Sequence, residues 1–477
     1  MRAGLTRGIS WTASVSIIRA IIQLIQLMLL TQLLDNTIFA AFVVLQSFFI
    51  IASVPTEFGL GTLIVVRQRR SATLLRNIVA LQLIVATLIG LLLLLVGQSV
   101  FGYFSAQLSG VHFVLSVILL LLMTLAHVPF SQLQRDLKWK DIAVSELLWS
   151  SITFSAIGVA LAYSPSLTGV LIGMAVGHTA RLWVLYRYVY HYHGAILFPS
   201  WHITPRTIKY LAYFGAFRTG AMFVNQLASH LDVFIIGRFL GAEALALYGA
   251  AKALMMRVSV FVSGLTSRIC LPLLSKQKQR EPLQRLYIIM LCSVAALVLP
   301  LFAVIGSNAE LVCVLLFGES YRSASMLLQI LCGVFALRML VNVGGQVIMS
   351  RAAVKASFWW NLTLLPISAI VYIVAAQHTL VELVYSMFAL QGTILFAHTW
   401  LMLGGIAKLN PFRVVFIQFA LLVVFAGLCA SIYTGVALLA LPPEQQLVAH
   451  IAIWGLVFGA VALYVKRHFN RVRRSHA

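Results

Sequence analysis

The sequence predicts an all-α polytopic membrane protein of about fourteen transmembrane helices, and three observations carry that prediction. The 477-residue chain is 61% hydrophobic. Only 10% of its residues are charged, against about a quarter in soluble domains. Apolar runs of membrane-crossing length recur from end to end, separated by short basic loops. A mean hydropathy of +0.98 describes a chain that no single core can bury, so lipid must cover most of it.

A hydrocarbon core of about 30 Å requires roughly 20 apolar residues per helix. The first run, Ile9–Leu33, is longer than a signal-peptide core and is expected to stay as a helix. Thr12, Ser16, Arg19, Gln23 and Gln26 follow one another along it at helical spacing, so they share a face. The second run, Ala40–Ile64, carries Gln46, Ser53 and Glu57 on a common face, with Pro55 placed to kink the helix. Leu74–Val96, Phe113–Gln134, Ile142–Tyr163 and Leu167–Tyr190 follow.

The seventh run, Tyr210–Leu240, bears Arg218, Asn225, Ser229 and Asp232. Arg218 and Asp232 stand about 21 Å apart along a straight helix, too far for a direct pair. In the eighth, Ala244–Pro272, Arg257 and Arg268 share one stripe and Lys252 lies on another. Leu286–Ile305 is the ninth. The tenth, Ser323–Ser350, carries Arg338, Asn342 and Gln346 on one face. Ala356–Ala376, Leu380–Leu403, Phe412–Thr434 and Leu447–Val465 complete the set.

Basic residues fix the direction of the runs. Every second loop is basic, as in Arg67, Arg69, Arg70 and Arg76, or Lys276, Lys278, Arg280 and Arg285, or Lys466, Arg467, Arg471, Arg473 and Arg474. The opposite loops hold Arg322 alone and gather Asp35, Glu243, Glu310, Glu319 and Glu444. Both termini are therefore expected in the cytoplasm. The net charge of +22 is read as this loop bias, and no nucleic-acid partner is expected. The longest cytoplasmic loop, about His191–Lys209, suggests lobes at 1–195 and 196–407, then a final helix pair with a basic tail at 408–477.

A charge near the bilayer centre costs about 2.5–3.5 kcal/mol or more, so deep charges call for partners or an aqueous cavity. Arg181, Arg238 and Arg268 lie near span ends and are expected to snorkel. Arg19, Arg218, Lys252, Arg257 and Arg338 are deep, and the deep acids set against them are Glu57 and Asp232. That surplus predicts a central cationic cavity receiving an anion, with Gln23 and Asn225 beside the cations. The five cysteines, Cys270, Cys292, Cys313, Cys332 and Cys429, lack paired spacing and read as small buried residues. His191-Tyr192-His193 is read as having no companion carboxylate or cysteine, so an interfacial loop, and no metal site, is expected. No Asp-x-Asp pair and no Gly-x-x-x-x-Gly-Lys-[Ser/Thr] loop occur, so transport is expected and catalysis is not.

Several short stretches then resemble one family in order. They are Glu57-Phe58-Gly59 after the second run, SQLQRDLKWKDI after the fourth, and Asp232, Gly237, Arg238, Gly241 and Tyr248 across the seventh and eighth. Arg268 with Pro272, and the Phe-Gly turn leading to Arg338, continue the series. The chain resembles the Wzx-type polysaccharide flippases, in the colanic-acid-exporter branch of the multidrug/oligosaccharidyl-lipid/polysaccharide exporter superfamily. That resemblance implies two six-helix lobes about a central cavity, and a bacterial inner-membrane flippase. Its cargo would be an undecaprenyl-diphosphate-linked oligosaccharide, moved outward by alternating access for exopolysaccharide, capsule or O-antigen synthesis. A polysaccharide polymerase and a chain-length regulator are the protein partners it implies.

From the residues, Arg19, Arg218, Arg257 and Arg338 are assigned to the diphosphate or acidic sugars, because guanidinium groups stay charged and bind oxyanions bidentately. Glu57 and Asp232 are candidates for proton or sodium coupling or for charge pairing. No other cofactor is expected. The rival readings are a peptidoglycan lipid-precursor flippase, a multidrug-type exporter of the same superfamily, and a membrane-embedded glycan polymerase or ligase.

Overall fold

The computed structural model describes residues 2–61, 64, 72–104, 108–194, 198–200, 205–277, 279–351, 353–438, 442, 445–446 and 448–454. Its regular elements are helical, as lipid demands of a backbone that must bond to itself. They are α1 (Arg2–Leu33), α2 (Asn36–Glu57), α3 (Ala72–Tyr103), α4 (Gly110–Arg135), α5 (Trp139–Tyr163), α6 (Leu167–His193) and α7 (Pro205–Phe239). Then come α8 (Gly241–Ser275), α9 (Arg280–Ser307), the short α10 (Ala309–Phe317), a 3-10 turn (Glu319–Ala324) and α11 (Ser325–Ser350). Finally there are α12 (Val354–Ala376), α13 (Leu380–Ala397), a π-helical segment (His398–Gly404) and α14 (Pro411–Leu438).

Among the described residues, 12 helices are long and apolar enough to cross a membrane. The chain is a multi-pass membrane protein. α7 is not one of the twelve, and most of the expected fourteenth run falls outside the described residues.

Several boundaries differ from the sequence expectation, and three of them have a distinct local form. α2 stops at Glu57 instead of Ile64, because Phe58 (φ 52°) and Gly59 (φ 61°) both turn left-handed. The tenth run starts as a 3-10 turn, and the twelfth ends in π-helix. Polar caps mark other ends: Ser166 Oγ accepts the Gly169 N–H at 3.2 Å, and Thr379 Oγ1 accepts that of Glu382 at 3.2 Å.

The helices gather into two compact units, residues 1–249 and 250–477. In the first, α5 pairs with α6, α4 packs on α6, α1 on α5, α3 on α4, and α2 against α7. In the second, α11 packs against α9 and α13, while α14 rests on α9 and the π segment. Leu88, Leu91, Leu92 and Leu95 of α3 form an exposed apolar stripe at helical spacing, as a lipid-facing surface requires. The five cysteines are free and buried or half-buried.

Candidate functional site

The pairing of α5 with α6 positions a charged group that lies largely out of solvent. On α6, Gly173 and Gly177 are spaced by one helical turn. A Cβ at Gly173 would lie 2.8 Å from the Ile157 backbone nitrogen of α5, and one at Gly177 would meet the Thr153 side chain. This is the small-residue spacing that lets membrane helices approach closely. The helices run antiparallel, so one turn beyond Gly177 comes Arg181, opposite Trp149 and Glu146, one and two turns before Thr153. The arginine is delivered to the carboxylate by register alone.

Glu146 holds two arginines. Its Oε2 lies 2.5 Å from Arg19 Nη1 of α1, and its Oε1 lies 2.5 Å from Arg181 Nη2. Arg19 Nε also donates to Ser150 Oγ at 3.1 Å. The Arg19 and Arg181 guanidinium carbons stand 5.5 Å and 4.8 Å from the Trp149 ring centroid, within cation–π range. Side-chain exposures of 24%, 13% and 16% for Arg19, Glu146 and Arg181 place the cluster largely out of solvent.

Two sequence expectations are corrected here. Arg181 does not snorkel; it turns inward to Glu146. Glu57 and Asp232 are not the whole complement of deep acids, because Glu146 is a third. The signal was present, since Glu146, Trp149, Ser150 and Thr153 share one face of α5, and Gly173, Gly177 and Arg181 share one of α6. Arg238, by contrast, is exposed, with its guanidinium 4.2 Å from the Tyr103 ring centroid.

The two coupling candidates occupy different settings. Glu57 is the last residue of α2, beside Ser131 of α4: a Cβ at Gly61 would meet Glu57 Oε1 and Ser131 Oγ, each at 2.9 Å. Its backbone carbonyl accepts from Gln82 Nε2 at 2.9 Å. Asp232 is 7% exposed; Oδ1 accepts its neighbour's N–H from Val233 at 2.9 Å, and Oδ2 accepts from the Tyr248 hydroxyl. That bond spans the α7–α8 hairpin, whose turn uses Gly241 at φ 83°. Gly237 supplies the matching close approach, since a Cβ there would lie 2.7 Å from the Phe104 carbonyl oxygen. Asp232, Gly241 and Tyr248 of the motif therefore build one hairpin, and Gly237 lets it approach the chain at the end of α3.

In the second unit, Lys252 is 5% exposed, and Arg257 Nη1 donates to the Ala253 carbonyl at 2.9 Å. Arg338 is half-buried on α11. In the first unit, Gln23 is half-buried and Asn225 exposed. The side chains of Thr12, Arg218 and Arg268 lie outside the described residues. The His191-Tyr192-His193 stretch does have carboxylate companions, contrary to the sequence reading, because the α4–α5 turn folds against it. His193 Nε2 is 2.9 Å from Asp136 Oδ2, and the Tyr192 hydroxyl donates to Asp141 Oδ2 at 2.6 Å.

Comparison with known proteins now adds to this geometry. The family model described as "Polysaccharide biosynthesis protein" matches residues 29–326. The teichuronic acid biosynthesis protein TuaB of Bacillus subtilis (strain 168) is 23% identical over 412 residues, covering 84% of this chain and 83% of its own. The lipopolysaccharide biosynthesis protein WzxC of Escherichia coli (strain K12) is 25% identical over 381 residues, covering 76% and 74%. Among solved structures, the lipid II flippase MurJ in its inward closed conformation superposes with a TM-score of 0.75 at 12% identity, covering 96% of this chain and 99% of that one. An inward-facing MATE family transporter of the MOP superfamily gives 0.62 at 13% identity, covering 80% and 96%. These two likenesses establish the fold.

Proposed function

The chain belongs to the polysaccharide biosynthesis protein family, and from that premise we propose that it is a flippase for an undecaprenyl-diphosphate-linked oligosaccharide. The cargo passes from the cytoplasmic to the periplasmic leaflet of a bacterial inner membrane by alternating access, with both chain termini in the cytoplasm. The observation that carries the reading is the cationic excess inside apolar helices: Arg19 and Arg181 share one carboxylate, and Lys252 is buried. A diphosphate cannot enter hydrocarbon unaided, and guanidinium groups match its oxygens in pairs. The polyprenyl tail stays in lipid while Arg19, Arg218, Arg257 and Arg338 receive the charged headgroup. Glu57 and Asp232 serve ion coupling or charge pairing, and a polymerase and chain-length regulator act downstream. The protein itself catalyses no bond-making step.

The test is a leaflet assay in cells with and without the protein, using a periplasm-restricted glycosidase on lipid-linked oligosaccharides. Complete repeat units held on the cytoplasmic leaflet, with surface glycan lost, are expected when the protein is absent. Complete units that reach the periplasmic leaflet but remain unpolymerised would overturn the flippase reading in favour of a polymerase or ligase.

A further inference from the structure

The Arg19–Glu146–Arg181 cluster has more hydrogen-bond donors than acceptors. Glu146 divides its two oxygens between two arginines. Around it, the buried Arg181 Nε, Trp149 Nε1, Thr153 Oγ1, His178 Nδ1 and His127 Nδ1 have no hydrogen-bond partner among the described residues. The first two can only donate, the hydroxyl can donate, and each neutral imidazole can place its proton on Nδ1. The five atoms belong to one neighbourhood. His178 stacks at 5.1 Å from Trp149, Trp149 lies under Arg181, Thr153 faces Gly177, and both histidines are within electrostatic reach of Arg181. His178 is only 4% exposed.

Buried donors left without acceptors are costly and rare. What the set lacks is an acceptor-only group with several oxygens. Glu146 supplies two, and each already faces an arginine. The formal charge of two guanidiniums and one carboxylate is +1, so the deficit is of negative charge as well as of acceptors.

We propose that Glu146 is an internal stand-in for an oxyanion, and that the anionic headgroup of the cargo displaces it from Arg19 and Arg181. The proposal rests on the reading that the cargo is anionic. Glu146 then works as a competing counter-ion. It keeps two arginines satisfied in the apolar interior while no cargo is present, and it weakens the hold on cargo enough to permit release. Arg181 joins the cargo-binding set, and Glu146 becomes the residue that tunes its affinity.

The test uses the full-length protein in nanodiscs of zwitterionic lipid, titrated calorimetrically with inorganic pyrophosphate and, separately, with glucuronate. Glu146→Gln is expected to bind pyrophosphate roughly tenfold more tightly, as when a charge-assisted partner of an arginine is released. The gain should vanish when Arg19→Gln and Arg181→Gln are added. Tightening of glucuronate as well would assign a general oxyanion site, whereas tightening of pyrophosphate alone would assign a phosphate site. Unchanged affinity in folded Glu146→Gln, or a gain that survives loss of both arginines, overturns the proposal.

Glu146→Asp guards against misfolding of the Gln variant. It keeps the charge but is one methylene too short to reach both guanidiniums, so a smaller gain in the same direction is expected, and none in a folded Asp variant overturns the idea. A tightened pyrophosphate site in a protein that fails the leaflet assay would sustain this inference and overturn the flippase reading. Normal flipping with no tightening would do the reverse.

Discussion

At the scale of single residues, the cost of a substitution depends on which charge is left behind. Removing Arg19 leaves Glu146 one arginine, whereas removing Glu146 leaves two guanidiniums side by side in an apolar setting. Glu146→Ala should therefore destabilise by about 3–5 kcal/mol, and Arg19→Gln by about 1–3 kcal/mol. Thermal unfolding in detergent micelles ranks the two, and a larger loss for Arg19→Gln would contradict the pairing. Arg19→Lys should resemble Gln more than wild type, because an ammonium lacks the planar fork that serves Glu146 and Ser150 together. Transport should fall in the Gln variants of Arg19, Arg257 and Arg338 while the amount of folded protein holds. Unchanged transport in all three would remove them from the site. Gly59, at φ 61°, makes a separate prediction: Gly59→Ala should cost about 1–2 kcal/mol in the same melts, with a loosened end to α2 beside Glu57.

At the scale of elements, the α5–α6 contact is the part that register controls. A Cβ at Gly177 would clash with Thr153 Oγ1 and lie 2.9 Å from Thr153 Cβ. Gly177→Ala should push the helices apart, at a cost of about 1–3 kcal/mol for overpacking, and carry Arg181 away from Glu146. Thr153→Ala removes the worst clash, so the Gly177→Ala/Thr153→Ala pair should recover part of the melting temperature. Absence of any recovery would mean that the contact is not the limiting one. This contact also shows what a sequence reveals. Existence of the helices was legible, because a bilayer forces every apolar run of sufficient length into the same hydrogen-bonded form. The Glu57-Phe58-Gly59 stretch was legible as a motif, but its two left-handed residues, which end α2 early, were not. Glu146 is not legible as a deep acid on its own, because one acid near the end of an apolar run resembles an interfacial residue. Only the register set by Gly173 and Gly177 shows that Arg181 faces it.

At the scale of the whole molecule, loop charge sets the direction of insertion, and the turn carrying Arg322 bears on how firmly. Arg322 is the one basic residue in the loops opposite the basic set. The structure gives it two acidic partners, Glu319 at 3.0 Å and Glu310 at 2.9 Å. The turn is thus net negative, so the exception does not weaken the loop-charge bias on which the proposed orientation rests. Ser275 and Ser320 are exposed and flank α9, the intervening helix long enough to cross, while the intervening α10, at 9 residues, is too short. Ser320→Cys should react with a membrane-impermeant maleimide on intact cells whose outer barrier admits the reagent. Ser275→Cys should react only after the inner membrane is permeabilised. Wild type gives the background from the native cysteines, all free but buried or half-buried. Reversed labelling would invert the orientation of the second unit. Labelling of both sites from one side would remove α9 as a crossing, and with it the alternation on which the cytoplasmic termini depend.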